Sequence, residues 1–432
     1  MKVLVVGGGG REHALIWRLA QSDAVSELVA CPGNPGMASL ARCLPSDLTD
    51  LEGIAGLARK EKTDLVVVGP EGPLANGLAD RLEGLGIPVF GPRAAAARLE
   101  SSKAFAKEFM ARHGIPTAPF AVIDSTEEAI SGAERWTLPV VVKADGLAAG
   151  KGAVVCHSRD EAREAVRSIM VHRRFGGAGD RIVVEQCLVG DEASVLTLVG
   201  PAASVTLPAS QDYKRIYEGD RGPNTGGMGA LCPLDAATPS VMEDIERRII
   251  APTLEGLKAE GLQFTGVLYS GLMLTDDGPF VIEFNCRMGD PESQAVLPAI
   301  QGDLAGVMAR LAGGGDVGRN EIAWSGEYTV CTVMAGRGYP AAAQSGIRIK
   351  GLVEAQEKTG AIVFHAGTAI GKDGGLVTAG GRVLGVTGIG ATLADARARS
   401  LEAVSLIDFD GAQFRKDIGL RWLRTADKGE SA

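Results

Sequence analysis

The 432-residue chain predicts an α/β and α+β multidomain fold: a parallel αβ domain, a β-rich centre and a small C-terminal αβ domain. Three observations carry this. Short apolar runs alternate with helical stretches over the first hundred residues. The middle of the chain turns strand-rich, and a second alternating section begins after Gly315. At about 150 residues per domain, the length is also that of three domains.

In order, "KVLVVG" reads as a strand and Glu12 to Ala20 as a helix; "LVVVGP" and "IPVFGP" are further strands. Apolar strands separated by helices suit a parallel sheet covered on both faces. From Leu99, "LESSKAFAKEFMARHGIPTAPF" reads as one helix closed by Gly114 and Pro116. "LPVVVKADG", "GAVVC", "RIVVEQCLVG" and "EASVLTLVG" follow as strands. Ala209 to Pro233 reads as a long irregular loop, and its charges and glycine cluster favour a functional role. Strands at "EYTVCTVMA", "AIVFHAG" and "RVLGVTGIG" and a helix through "LADARARSLEAVSLI" complete the chain.

Composition narrows the function. With 45% hydrophobic residues the chain can bury substantial cores, and a net charge of −9 argues against nucleic-acid binding through a broad basic surface. Small anionic ligands need only a local basic pocket. The seven cysteines are scattered without a CxxC pair, so a reducing, cytoplasmic setting is expected rather than a disulfide framework or structural zinc. The apolar part of the N-terminus is too short for a signal peptide, and no run of about twenty apolar residues predicts a membrane span.

Two glycine loops stand out. "VVGGGGREHA" carries a strand through glycines into a helix, as a dinucleotide turn does. Counting from Gly7, however, the third glycine of that pattern is Glu12, and "ELVACPGNPG" ends without the acid that would hold a ribose. A structural turn and a different phosphate-bearing ligand remain, the latter held by backbone N–H groups at a helix start. The second loop, "KADGLAAGKGAVV", lacks the spacing and the hydroxyl residue of a Walker loop. Strands flank it on both sides, so it fits a glycine hairpin closing over phosphates. Lys143 precedes it on an apolar strand and needs a ligand or a carboxylate if buried.

"FVIEFNCRMGDPESQ" is the densest stretch. Alternation on a strand puts Glu283 and Asn285 on one face and Phe284 in the core. Two oxygen ligands side by side suit a hard cation such as Mg²⁺, whose shell phosphate oxygens and water complete. Arg287 continues the same alternation and offers a guanidinium for phosphate or carboxylate. A solvated edge strand is the plain alternative. "EQCLVGDEA" sets Glu185 and Glu192 on either side of a short turn, where backbone groups could meet an adenine edge and a carboxylate a ribose.

"GGREHA", "VGPEGPLANG", "SSKAF", "KADGLAAGKG", "SQDYKR", "GPNTGGMGA", "IEFNCRMGDPESQ" and "VFHAGT", in this order and spacing, closely resemble the glycinamide ribonucleotide synthetase family of ATP-grasp enzymes, nearly end to end. Gly8, Met288, Ser293 and Tyr213 depart from the family pattern and put fine substrate contacts in doubt. The resemblance implies ATP-dependent ligation of glycine to 5-phosphoribosylamine through an acyl phosphate, with no side-chain nucleophile. It implies an N-terminal domain over 1–102, an ATP-grasp domain over 103–326 with a mobile lid at about 120–190, and a C-terminal domain over 327–425.

By position, Glu283 and Asn285 would hold Mg²⁺ or Mn²⁺, and Lys103 and Lys143 would touch ATP phosphates beneath Gly150, Lys151 and Gly152. Glu185, Gln186 and Leu188 would frame the adenine, and Glu192 the ribose. Arg287, Asp212, Lys214 and Asp290 would organise glycine and the transferring phosphoryl group. Gly9, Gly10 and Arg11 would hold the ribose phosphate, and Asn224, Thr225 and Gly226 would line the pocket. His365 and Arg382 fit a structural or a functional role equally. The resemblance further implies a cytoplasmic monomer, without nucleic-acid or membrane partners, in transient contact with the amidotransferase that makes phosphoribosylamine. A dehydrogenase, another ATP-grasp ligase or carboxylase, and a silent ATP-binding module are the competing readings.

Overall fold

The computed structural model describes residues 1–148, 150–318 and 320–423, so the expected domain limit at 425 lies outside the described residues. In the first domain β1 (Lys2–Gly7), α1 (Gly10–Leu19), β2 (Glu27–Pro32), β3 (Arg42–Cys43) and α2 (Leu51–Glu61) lead into β4 (Leu65–Val68). Then come α3 (Glu71–Ala75), α4 (Leu78–Gly84) and β5 (Val89–Phe90). The five strands form one parallel sheet, β3-β2-β1-β4-β5. Both faces of β1 are buried, as its unbroken apolar run requires: Val3 and Val5 pack with Leu15 and Ile16, Leu4 and Val6 with Ile54 and Leu82.

The helix expected from Leu99 is two helices, α5 (Ala94–Ser101) and α6 (Lys103–Arg112). Ser102 between them is extended, and its hydroxyl accepts the Phe105 N–H at 3.1 Å. A serine that can satisfy a free N–H in this way favours starting a helix over continuing one.

Next, β6 (Phe120–Ile123), α7 (Thr126–Gly132), β7 (Val140–Ala144), β8 (Ala153–Cys156), α8 (Arg159–Val166) and β9 (Ile182–Gln186) form a small layer around the antiparallel sheet β6-β9-β7-β8. It has a core of its own, including Ile123, Val142, Val166 and Val184.

The following segments are β10 (Asp191–Val199), β11 (Ser204–Thr206), β12 (Gln211–Asp212), β13 (Arg215–Tyr217), β14 (Arg221–Asn224) and β15 (Gly229–Cys232). After α9 (Pro239–Ile245) and α10 (Ala251–Ala259), β16 (Gly266–Thr275) and β17 (Gly278–Asn285) complete the sheet β11-β10-β16-β17. Then come α11 (Glu292–Ala299), β18 (Ile300–Gln301), α12 (Leu304–Ala312) and β19 (Ala323–Trp324). The last domain holds β20 (Tyr328–Ala335), α13 (Leu352–Thr359), β21 (Ile362–His365), β22 (Thr368–Ile370), β23 (Leu376–Thr378), β24 (Arg382–Gly390) and α14 (Leu393–Leu406).

The stretch read as an irregular loop, 209–233, is therefore four short strands. β13 and β14 make a hairpin, while β12 and β15 join the sheet β12-β15-β20-β24-β21. That sheet crosses the domain limit expected at 326/327, because β15 pairs antiparallel with β20 across nearly a hundred residues of chain.

Candidate active site

The end of β17 is built by an irregularity. Gly271 pairs with Glu283 and Leu272 with Val281, so the ladder skips Ile282. Such a bulge shifts the alternation of faces. Val281 and Phe284 both lie in the core, at 0% and 2% exposure, while Glu283 and Asn285 share the opposite, half-buried face. The Ile282 carbonyl, out of the ladder, accepts from Lys143 Nζ at 3.1 Å.

Cations surround this strand end. Burial alone would raise the Glu283 pKa, but Lys214, Lys143, Lys103 and Arg287 outweigh it and keep the carboxylate ionised. Lys103, first residue of α6, donates to the Gly146 carbonyl at 3.2 Å at the root of the glycine loop. Burial lowers its pKa, with Glu283 opposing. A divalent cation fits here by donor chemistry: an ionised carboxylate and an amide oxygen on one strand face. Among the described residues no cluster of three or more His, Cys, Asp or Glu could cage an ion. Nucleotide phosphates and water would have to complete the shell, as Mg²⁺ prefers.

Lys143 is satisfied as its apolar strand demanded. Glu185 pairs with it and with Lys107, all three being at most 5% exposed. Glu185 thus lies beneath the cleft between two ammonium groups, whereas Gln186 is exposed and Leu188 half-buried on the connecting segment. Glu192, expected at a ribose, accepts from Lys214 Nζ at 2.8 Å, and Asp212 lies 3.6 Å from the same ammonium. Burial pushes the Asp212 carboxyl up to about 7; Lys214 opposes this, and Glu292, Glu192 and Glu283 add to it. Burial works against charge on Lys214, but Asp212 and Glu192 hold its pKa well above the ordinary lysine range.

Arg287 departs from the expected alternation, since β17 ends at Asn285. Its guanidinium meets Glu100 at 2.8 Å and Glu71 at 3.3 Å, two carboxylates from the preceding helices α5 and α3. Asp290 is 3.3 Å from Arg382 and accepts from the Gln294 amide at 2.8 Å. Arg382 also donates to the Gly226 carbonyl at 2.6 Å, so β24 anchors the 224–226 segment. Thr225 bonds back to the Lys214 carbonyl through both its N–H and its hydroxyl at 2.8 Å, and Asn224 ends β14 beside it.

The glycine turn after β1 differs from a vacant anion cradle. Glu12 folds back so that its carboxylate accepts the Gly9 N–H at 2.7 Å and caps α1. Arg11 pairs with the same carboxylate at 2.5 Å and reaches the Met288 carbonyl at 3.3 Å. The residue that breaks the dinucleotide pattern therefore fills part of the turn itself. Gly10 lies against the Gln294 amide, whose nitrogen would have to shift to admit a Cβ.

The second glycine loop reaches the segment after β20 and the 224–226 segment. Lys151 Nζ donates to the Pro340 carbonyl at 2.9 Å, and a Cβ on Gly150 would stand 3.3 Å from the Thr225 carbonyl. Gly152 accepts the Ala144 N–H at 2.8 Å, which closes the base of the hairpin. Lys107, Glu71, Glu100 and Tyr339, whose hydroxyl accepts the Gly226 N–H at 2.9 Å, escaped the sequence reading. Only Lys107 left a signal there, four residues after Lys103 and so on the same helix face.

Three family models cover most of the chain: the phosphoribosylglycinamide synthetase N domain over residues 1–100, its ATP-grasp (A) domain over 101–293 and its C domain over 329–421. A phosphoribosylamine–glycine ligase from Ralstonia nicotianae is 46% identical over 98% of this chain and 100% of its own. One from Caulobacter vibrioides is 45% identical over 98% of this chain and 99% of its own. The crystal structure of a phosphoribosylamine–glycine ligase from Thermotoga maritima superposes with a TM-score of 0.84 at 35% identity, covering 97% of this chain and 100% of that one. A biotin carboxylase domain from Hydrogenobacter thermophilus, solved with MgADP, shares the fold at a TM-score of 0.72 and 19% identity, over 96% of this chain and 91% of that one.

Proposed function

The chain belongs to the phosphoribosylglycinamide synthetase family, and on that premise we propose that it ligates glycine to 5-phosphoribosylamine at the expense of ATP, a step of purine biosynthesis. The observation that carries the reading is the bulged end of β17, which sets Glu283 and Asn285 on the face away from the core, with Glu283 in the field of Lys214, Lys143, Lys103 and Arg287.

A glycine carboxylate oxygen attacks the γ-phosphorus and ADP leaves, giving glycyl phosphate. The amine nitrogen of phosphoribosylamine then attacks the acyl carbon and gives up a proton to the departing phosphate, which leaves with the carboxylate oxygen it captured. Glu283 and Asn285 would hold a magnesium or manganese ion, which supplies charge neutralisation on the nucleotide's phosphates. Lys103 and Lys143 stand where cationic groups would meet those phosphates, with the Gly150–Gly152 loop over them. Gln186 and Leu188 lie on the segment that would frame the adenine; Glu192 would take the ribose once Lys214 turns to the phosphoryl group. Arg287, Asp212, Lys214 and Asp290 would position glycine, and Arg11, Gly9 and Gly10 would face the ribose phosphate beside Asn224, Thr225 and Gly226.

Among the described residues no helix is long and apolar enough to cross a membrane. The same reading places the enzyme in the cytoplasm, as a monomer in transient contact with the amidotransferase that makes its amine. Phosphate release from Mg-ATP, with phosphoribosylamine generated in situ and glycine supplied or withheld, tests the proposal. Release should require all three substrates. Release with a different acid or amine would reassign the reaction, and no release from a folded, ATP-binding sample would refute it.

A further inference from the structure

Beneath the cleft one carboxylate serves two buried ammonium groups. Glu185 Oε1 pairs with Lys143 and Oε2 with Lys107. The two lysines also reach adjacent carbonyls of β17. Lys143 Nζ donates to Ile282 directly, whereas Lys107 Nζ donates to Thr117 Oγ1 at 2.6 Å, which donates to the Val281 carbonyl at 2.7 Å. Val281 and Ile282 are the residues at the bulge, immediately before Glu283. Lys143 and the metal-facing strand end therefore share one buried scaffold with Lys107, which is 2% exposed.

Charge counting gives this scaffold a purpose. A carboxylate and a single ammonium, buried together, attract strongly in a medium far less polar than water. Were Glu185 paired with Lys143 alone, its whole charge would hold that lysine at the floor of the cleft. The second ammonium shares the carboxylate and leaves the trio with one net positive charge. Burial lowers Lys107 to about 8, with Lys143 adding to the shift and Glu185 opposing it, so Lys107 stays mainly cationic near neutrality.

We propose that Lys107 is a positioning residue: by dividing the Glu185 carboxylate with Lys143, it leaves Lys143 free to leave the Ile282 carbonyl for the phosphates of the nucleotide. This rests on the ATP-dependent reading given above. Lys107 is held by Glu185 and the Thr117 hydroxyl, and acts through the other two side chains.

The test is calorimetric titration with Mg-ATP, without glycine or amine, of the parent, of Lys107→Met and of a paired variant carrying Lys107→Met and Glu185→Gln. Lys107→Met should weaken Mg-ATP binding by about tenfold or more, while KM for glycine stays within about twofold of the parent. A purely structural lysine would lower the thermal midpoint and leave nucleotide affinity alone. In the paired variant no carboxylate holds Lys143 back, and affinity should return to within about threefold of the parent. The paired variant also buries no unbalanced Glu185 charge, so it decides the matter if Lys107→Met does not fold. Unchanged affinity in folded Lys107→Met, or a paired variant bound as weakly as a tenfold loss, overturns the proposal. Three-substrate phosphate release by the parent is read in parallel: its failure sinks the ligase reading, while the affinity comparison still judges Lys107.

Discussion

The backbone N–H of His365 donates to Nδ1 of His13 at 2.8 Å, joining the last domain to helix α1 of the first. The two rings stand 5.6 Å apart at this seam. Burial, with His365 adding to it, brings His13 down to about 3, and burial brings His365 down to about 4. A proton on His13 Nδ1 would cost the bond that links the domains.

This fixes the sign of a pH effect. Both rings take protons near pH 6.5 when unfolded but only near 3 to 4 when folded. Below about pH 6.5 the unfolded chain binds more protons, so stability is full above that value and declines as the pH falls. The denaturant midpoint should be lower at pH 5 than at pH 7. His13→Asn, which keeps an acceptor in place of Nδ1, should shrink that difference; an undiminished difference would place its origin elsewhere.

Glu283→Gln preserves size and removes the charge that the nearby lysines stabilise. Phosphate release should fall by about a hundredfold or more, with the thermal midpoint close to the parent's. Near-normal turnover would refute the metal-holding role.

Lys151→Ala removes the reach from the glycine loop to the Pro340 carbonyl. If that contact keeps the loop over the cleft, water should gain access to the acyl phosphate. The ratio of phosphate released to ligated product should rise severalfold above one at unchanged thermal stability. A ratio that stays at one would show that closure does not need this lysine.

Gly10→Ala places a methyl group where the Gln294 amide lies, between α1 and α11. Overpacking at such a contact costs about 1–3 kcal/mol, read as a lower denaturant midpoint. Because Gln294 also holds Asp290, a proposed glycine-positioning residue, KM for glycine should rise as well.

Much of this architecture is legible in the residues, for identifiable reasons. β1, β4 and β17 carry long apolar runs or a charged strand end, and both patterns survive folding. The bulge at Ile282 is invisible, because it is fixed by pairing with β16 rather than by composition. β12 and β15 are strands of 2 and 4 residues, too short to show alternation, and they form because β20, far along the chain, offers an edge. Helix formers on both sides of Ser102 make α5 and α6 look like one helix, although Ser102 carries a cap's chemistry. The charges of Glu185 and Glu192 were visible, but not their partners: Lys107 is 78 residues and Lys214 is 22 residues away.

The sheet that carries β12 at its edge and β15 beside it is finished only by β24, near residue 390. Asp212 and Lys214, carried on and just after β12, must wait until nearly the whole protein has been made. A chain that ended before β20 would lack the edge on which β15, and through it β12, is paired.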